Sequence, residues 1–124
     1  MEHSAINLNH LQWQRRAQDL LEVTGPDQLS ILIEELAGAG LVVDALFGTG
    51  LSRPLAPGAF AVVAAVNASD RPVLALDVPS GLHADSGEPL GTAIRATRTA
   101  CFAALKPGLR DGSGPEYAGE VDVL

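Results

Sequence analysis

The sequence predicts an α/β fold in which helices alternate with the strands of a mostly parallel sheet. Two short apolar runs, residues 41–47 and 72–77, are bounded by glycine, proline or polar residues, as is typical of strands covered on both faces. Segments with helical spacing of apolar residues precede and separate these runs. The midpoints of the two runs lie roughly 30 residues apart, which is the length of a strand–helix–strand unit.

Three segments carry apolar residues at the spacing of amphipathic helices. They are predicted over 10–23, over 27–37, and from 59 to an end near 67–70. At the start of the first, Asn9 and Gln12 have the spacing of a capping box, and Gly25-Pro26 is expected to end the helix. In the second, Asp27 is expected to cap the start and Gly38 to follow the end.

Strand-like apolar segments are predicted at 41–47, 72–77, 97–105 and 120–124. Ligands of parallel sheets bind beyond the carboxyl ends of the strands, so the residues there are the first candidates for a site. Asp44 lies in the last part of the first strand, and Asp77 closes the second. A carboxylate in an apolar strand needs a partner, which a cation, a substrate hydroxyl or backbone N–H groups could supply. Each Asp could instead cap its own loop, but two on adjacent strands favour a site.

The loop after the first strand, Gly48-Thr49-Gly50-Leu51-Ser52-Arg53-Pro54, has the composition of an anion-binding loop. Its glycines let backbone N–H groups approach an anion, two residues offer hydroxyls, and Arg53 can bind phosphate with its planar fork. The loop is neither a P-loop nor a dinucleotide fingerprint, because it lacks a Gly-Lys-Ser/Thr ending and a third glycine. A plain tight turn would use the same residues, so both interpretations stay open.

Two further residues lie near the carboxyl end of the third strand. Lys106 could meet a phosphate or polarise a substrate, whereas a solvated lysine before a turn is the simpler interpretation. Cys101 is expected to fill the core, and a single cysteine excludes an internal disulfide or a multi-cysteine zinc site. No histidine is placed for a Ser–His–Asp relay, so hydrolase chemistry of that type is not expected.

Composition narrows the class of protein further. Fifteen acidic residues against eight basic ones give a net charge of −7, which does not suit binding to nucleic acid. Hydrophobic residues make up 47% and charged residues 19%, as expected of a chain with a core to bury. The apolar runs are too short to cross a membrane, and residues 1–10 do not resemble a signal peptide. We therefore expect a soluble cytoplasmic domain without nucleic-acid or membrane partners.

Three motifs in this order and spacing resemble the NAD(P)H-hydrate epimerase (YjeF N-terminal) family. They are VDALFGTGL at 43–51, LDVPSGL at 76–82 and ALKPGL at 104–109. The resemblance implies a Rossmann-like, three-layer αβα fold with a mostly parallel sheet. It also implies an enzyme that interconverts the R and S forms of hydrated NADH and NADPH. A separate or fused NAD(P)HX dehydratase would then restore the cofactor.

The resemblance assigns roles to individual residues. Asp44 and Ser80 match the residues that contribute to a potassium site in the family. The loop 48–54 and Asp77 match the residues that contact the hydrated dinucleotide. Asp77 is the natural candidate for proton transfer near the hydrated ring, with Lys106 as a helper.

One departure from the family bears on the domain organisation. The family carries an asparagine- and glycine-rich phosphate loop, of the form GGGNNGGDG, upstream of the first motif, and nothing in residues 1–40 resembles it. We therefore expect one partial domain over 1–124, with 1–26 weakly matching, 27–124 bearing the motifs, and the first strand–helix units lacking. The sheet edge left open would favour a homodimer. A non-catalytic nucleotide- or protein-binding scaffold is the alternative function, and activity of this chain stays an open question.

Overall fold

A computed structural model describes residues 20–47 and 52–124, and it contains a four-stranded, all-parallel sheet. The strands are β1 Val42–Asp44, β2 Val73–Leu76, β3 Arg98–Cys101 and β4 Glu120–Val123. The helices are α1 Pro26–Ala37, α2 Pro57–Ala68 and α3 Gly114–Ala118, with a 3₁₀ turn at Pro107–Leu109 before α3. The predicted α/β class is confirmed.

The strands lie side by side in chain order, β1-β2-β3-β4. Connections between parallel strands are right-handed, so strands added in one direction send all their connections across the same face of the sheet. Both apolar clusters lie on that face. One contains Leu36, Val63, Val66, Val73 and Ile94, and joins α1 and α2 to the sheet. The other contains Val78, Leu82, Ala84, Ala93, Cys101, Leu109 and Ala118, and lies over β3 and β4.

The opposite face of the sheet carries the alternate residues of each strand. Val43 is exposed there, and the Arg98 guanidinium bonds Asp122 at 3.1 Å and also bonds Glu120. Because all three charged side chains are more than half exposed, these ion pairs contribute little to stability. The second helical layer of the predicted αβα arrangement would cover this face, and it stays a prediction.

The start of α1 corrects two expectations about its sequence. Gly25 is the N-cap of α1 and Pro26 its first residue, so the pair begins a helix and does not stop one. Proline suits the first turn because its fixed φ is helical and its missing N–H is not needed there. Asp27 lies in this first turn but makes no capping bond. Gly38 ends the helix as expected, donating its N–H to the Glu35 carbonyl at 3.2 Å.

The first predicted helix, 10–23, lies mostly outside the described residues. Its last four residues, 20–23, are not helical, so that part of the prediction is wrong. The third predicted helix begins at Pro57, two residues before residue 59, and it ends at Ala68, within the predicted range. No helix in 20–47 or 52–124 is both long and apolar enough to traverse a bilayer.

The strands are shorter than the apolar runs that predict them. β1 ends at Asp44, whose carboxylate accepts the Leu46 N–H at 3.3 Å and turns the chain out of the sheet. β3 ends at Cys101, because Ala103 adopts a left-handed φ of 66° that no strand can continue. β2 and β4 differ from their predicted bounds by one or two residues.

Candidate active site

The loops after β1 and β2 are joined by a buried carboxylate. Asp44, the last residue of β1, is only 4% exposed. Its carboxylate accepts the Ser80 backbone N–H at 2.7 Å and the Ser80 hydroxyl at 2.6 Å. It also accepts the Leu46 N–H within its own loop. Asp44 therefore both caps its loop and connects two strand ends, which accounts for the burial of its charge.

Ser80 brings a second and a third oxygen to the same place. Its hydroxyl oxygen accepts the Phe47 N–H at 2.9 Å and lies 3.4 Å from the Phe47 carbonyl oxygen. A carboxylate, a hydroxyl and a carbonyl thus converge beside β1. All of these donors are oxygens, which hard cations such as potassium prefer. Within the described ranges no group of three His, Cys, Asp or Glu side chains is arranged to hold a metal. The donor set at Asp44 fits potassium.

Asp77 follows β2 and has an unusual backbone. Its φ is 71°, in the left-handed region that non-glycine residues rarely adopt, and its N–H donates to the Ala100 carbonyl at 2.7 Å. Such a conformation costs about 1–3 kcal/mol and persists only where the surroundings determine it. In proteins this kind of strain clusters at functional sites. The backbone at Asp77 is therefore a structural reason to examine what its side chain contacts.

The Asp77 side chain forms an ion pair with Lys106. The Lys106 ammonium donates to Oδ1 of Asp77 at 2.8 Å and to the Phe102 carbonyl at 2.7 Å. The Phe102 N–H donates to the same carboxylate oxygen at 3.2 Å. The two charged side chains are 24% and 22% exposed, so a ligand can still reach them. The simpler interpretation of the sequence, a freely solvated Lys106, is therefore wrong.

This contact changes the acidity of both groups. Burial raises the pKa of Asp77, but the hydrogen bonds from Lys106 and the Phe102 N–H, with the charge of Lys106, hold that pKa below its usual value. The hydrogen bond to Asp77 raises the pKa of Lys106 above its usual value, although burial opposes the shift. At neutral pH the pair is therefore a carboxylate and an ammonium.

Two residues near the pair were not expected to contact it. Cys101 is buried in the core, as expected, but its thiol also lies 4.0 Å from Oδ1 of Asp77 and donates to the Ala104 carbonyl at 2.9 Å. Phe102 holds both members of the ion pair through its main chain. Both lie where β3 ends, five and four residues before Lys106, but their contacts with the pair depend on the turn at Ala103, for which the sequence holds no signal.

The predicted anion-binding loop is described only in part. Residues 48–51, which carry Gly48, Thr49, Gly50 and Leu51, lie outside the described residues. Ser52, Arg53 and Pro54 are exposed. The loop joins β1 to α2, so it leaves the carboxyl edge of the sheet where Asp44 and Ser80 meet. Its role in binding an anion stays a prediction.

Sequence comparison finds similar proteins that are named as NAD(P)H-hydrate epimerases or repair enzymes. A bifunctional NAD(P)H-hydrate repair enzyme Nnr from Salinibacter ruber is 52% identical over 84 residues, which are 68% of this chain and 16% of that protein. Another from Thermofilum pendens is 46% identical over 103 residues, 83% of this chain and 20% of that protein. An NAD(P)H-hydrate epimerase from Achromobacter xylosoxidans is 54% identical over 88 residues, 68% of this chain and 42% of that protein.

The chain spans less than half the length of each of these relatives. The family described as YjeF-related protein N-terminus matches residues 2–108, which include the first two sequence motifs and all but the last residue of the third, with both Asp77 and Lys106. The chain therefore belongs to the YjeF-related protein N-terminus family.

Proposed function

We propose that the chain acts as an NAD(P)H-hydrate epimerase, an isomerase that interconverts the R and S forms of hydrated NADH and NADPH. Membership in the family and the names of the similar proteins support this activity. The observation that carries the proposal is the Asp77–Lys106 ion pair, with 2.8 Å between its atoms, at the carboxyl end of the sheet.

The chemistry of the proposed reaction requires a proton donor and a proton acceptor. Hydration of a reduced nicotinamide ring places a hydroxyl on the ring carbon next to nitrogen. To invert that carbon, the C–O bond breaks with its electron pair on oxygen, while the nitrogen lone pair forms a C=N bond. Water then adds to the opposite face and loses a proton. Neither step oxidises or reduces the ring, so no redox partner is needed.

The ion pair supplies both groups. The Lys106 ammonium protonates the departing oxygen, and the Asp77 carboxylate accepts the proton of the returning water. The proton then passes from Asp77 to Lys106 along their hydrogen bond, which restores both charges. The lowered pKa of Asp77 and the raised pKa of Lys106 keep the pair in this starting state at neutral pH.

We infer that the loop 48–54 binds the phosphates of the dinucleotide. Arg53 is exposed and carries the planar donor fork that suits phosphate, and the glycines allow a close approach of backbone N–H groups. Arg53 and Lys106 would then contact different parts of the same ligand, the phosphates and the hydrated ring.

We also propose a potassium ion held by Asp44 and Ser80, with the Phe47 carbonyl as a further oxygen donor. When bound, the ion would supply a positive charge close to the anionic ligand. Asp44 and Ser80 themselves hold the loops after β1 and β2 together, so their hydrogen bonds position the binding loop with or without the ion.

A dehydratase that removes water from one epimer is the proposed partner in the reaction sequence. Two of the similar proteins are named bifunctional repair enzymes, which supports a fused or separate second activity. The epimerase would then convert the other epimer into the form that the dehydratase consumes.

A coupled assay tests the proposed activity. The chain is incubated with R-NADHX and an S-specific dehydratase, and NADH recovery is followed in potassium or in choline at equal ionic strength. We expect NADH to form faster than by spontaneous epimerisation, and faster in potassium. Recovery at the spontaneous rate by a folded sample would contradict the epimerase. Equal rates in both salts would contradict the potassium site alone.

A further inference from the structure

Phe102 has an exposed side chain, and its main chain contacts both members of the ion pair. Its side chain is 45% exposed, while Cys101 before it is fully buried. The main chain of Phe102 contacts both charged groups, donating its N–H to Asp77 and accepting the ammonium of Lys106 through its carbonyl. The ring is therefore attached to the same backbone atoms that hold the proposed proton donor and acceptor.

The backbone around Phe102 is held by several hydrogen bonds. The Ala104 N–H donates to the Phe102 carbonyl at 2.8 Å, and the Ala103 N–H donates to the Leu124 carbonyl at 3.1 Å. Ala103 itself has a left-handed φ of 66°, which this network holds in place. With its main chain fixed, the phenyl ring retains only two torsions, so little entropy is lost when a ligand packs on it.

We propose that Phe102 is a substrate-binding residue whose ring packs against the face of the hydrated nicotinamide. This inference rests on the proposed function. The ligand carbon that is inverted must reach Asp77 and Lys106. The hydrated nicotinamide ring that carries this carbon therefore comes close to Phe102, whose main chain bonds both groups. Packing there also displaces water from the ion pair, which strengthens the electrostatic interactions in the site.

The chain offers a matched control for this ring. Phe60 lies on α2 and is also 45% exposed, but no contact joins it to Asp77 or Lys106 among the described residues. We expect Phe102→Ala to raise KM for NADHX about tenfold, which corresponds to about 1.4 kcal/mol of binding, with a smaller effect on kcat. Phe102→Tyr should retain a KM near that of the parent chain, and Phe60→Ala should not change it.

The failure of this inference is distinguishable from the failure of the proposed function. If the parent chain epimerises NADHX and Phe102→Ala has an unchanged KM, Phe102 is not a binding residue and the epimerase stands. If the parent chain binds NADHX without turnover, calorimetric Kd values replace KM. A Kd weakened by Phe102→Ala but not by Phe60→Ala then supports the inference, and equal values overturn it. A parent chain that neither turns over nor binds NADHX removes both proposals.

Discussion

Lys106 is the residue on which the proposed chemistry can be observed most cleanly, because it is the only lysine in the chain. Its ammonium holds one oxygen of Asp77, and the Phe102 N–H holds the same oxygen. A single lysine gives a single side-chain signal in a lysine-labelled sample. The protonation of this one group can therefore be followed without interference from other lysines.

We predict that the Lys106 ammonium titrates above its usual value of 10.5, because the hydrogen bond to Asp77 stabilises the charged form. The raised pKa stabilises the fold below pH 10.5 wherever Asp77 is ionised, and the contribution is lost as pH rises through the raised value. An NMR titration of the labelled lysine measures this pKa directly. In Asp77→Asn the midpoint should fall, whereas Asp85→Asn should leave it unchanged. A midpoint that is the same in all three proteins would mean that the ion pair does not form in solution.

The sequence predicted that three charged residues of the candidate site lie near strand ends, because position at a strand end can be read from an apolar run. Asp44 lies in the last part of the first apolar run, Asp77 closes the second, and Lys106 follows the third. The roles of Phe102 and Cys101 could not be predicted, because they depend on a turn in which Ala103 adopts a left-handed φ. Residue type does not reveal such a turn when the residue is alanine rather than glycine.

At the scale of elements, the loops after β1 and β2 depend on one another through Asp44. The carboxylate of Asp44 ends β1 by accepting a local N–H, and it fixes the second loop through both polar groups of Ser80. The pattern of apolar residues does not reveal a turn that is made by a side-chain hydrogen bond. For this reason the predicted first strand ends at residue 47, three residues beyond the observed end of β1. The same residue thus sets a strand boundary and the donor geometry of the candidate cation site.

We predict that potassium raises the melting temperature of the parent chain and not that of Asp44→Ala. The substitution should also lower the free energy of unfolding by about 1–3 kcal/mol, because it leaves the buried N–H and hydroxyl of Ser80 without their acceptor. Thermal denaturation in potassium and in choline measures both effects. Asp85→Ala, in an exposed turn, is the control and should behave as the parent chain. A potassium shift that survives in Asp44→Ala would place the cation elsewhere.

Gly81 is required by the connection between β2 and β3. Its φ is 95°, and a Cβ atom there would lie 2.2 Å from the Thr92 carbonyl oxygen. Any side chain at position 81 would therefore destabilise the fold. A left-handed φ is unfavourable for residues other than glycine, and the Thr92 backbone cannot move far enough to relieve the clash. The chain after β2 can therefore pack against residues 92–94 only if position 81 is glycine.

We expect Gly81→Ala to lower the free energy of unfolding by about 2 kcal/mol or more. Gly58, in the first turn of α2, is the matched control, since a Cβ atom there meets nothing within 4 Å and its φ is ordinary. Gly58→Ala should be neutral or stabilising by up to about 1 kcal/mol. Urea denaturation of the three proteins gives the comparison. Equal losses in both variants would show that the close approach at Gly81 is absent in solution.

At the scale of the whole molecule, the parallel order of the strands brings the candidate site together. Four parallel strands in chain order put Asp44, Asp77 and the turn that carries Lys106 at one edge of the sheet. The same order sends the connections across one face, which explains why both apolar clusters lie there. The sequence predicted the parallel sheet, but the lateral order of strands depends on contacts between distant segments and could not be read from periodicity.

The acidic character of the chain does not conflict with an anionic ligand. The chain carries a net charge of −7, but at roughly 0.1 M salt the field of an exposed charge is largely screened beyond about 10 Å. The proposed binding of a dinucleotide would depend instead on a few local donors, namely Arg53, Lys106 and the backbone N–H groups of the loop between β1 and α2. A net charge of −7 argues against a protein that binds along a nucleic-acid backbone, but it does not argue against an enzyme that binds a single nucleotide.

In the proposed reaction Asp77 and Lys106 together move the proton while NADHX is inverted. The most direct test of this claim is the initial rate at which pure R-NADHX becomes S-NADHX, followed chromatographically for the parent chain, Asp77→Asn, Lys106→Met and Asp85→Asn. We predict that each of the two site variants lowers kcat by about 100-fold or more, as loss of acid–base catalysis does, while Asp85→Asn retains the parent rate. Folded Asp77→Asn or Lys106→Met with the parent rate would contradict the claim.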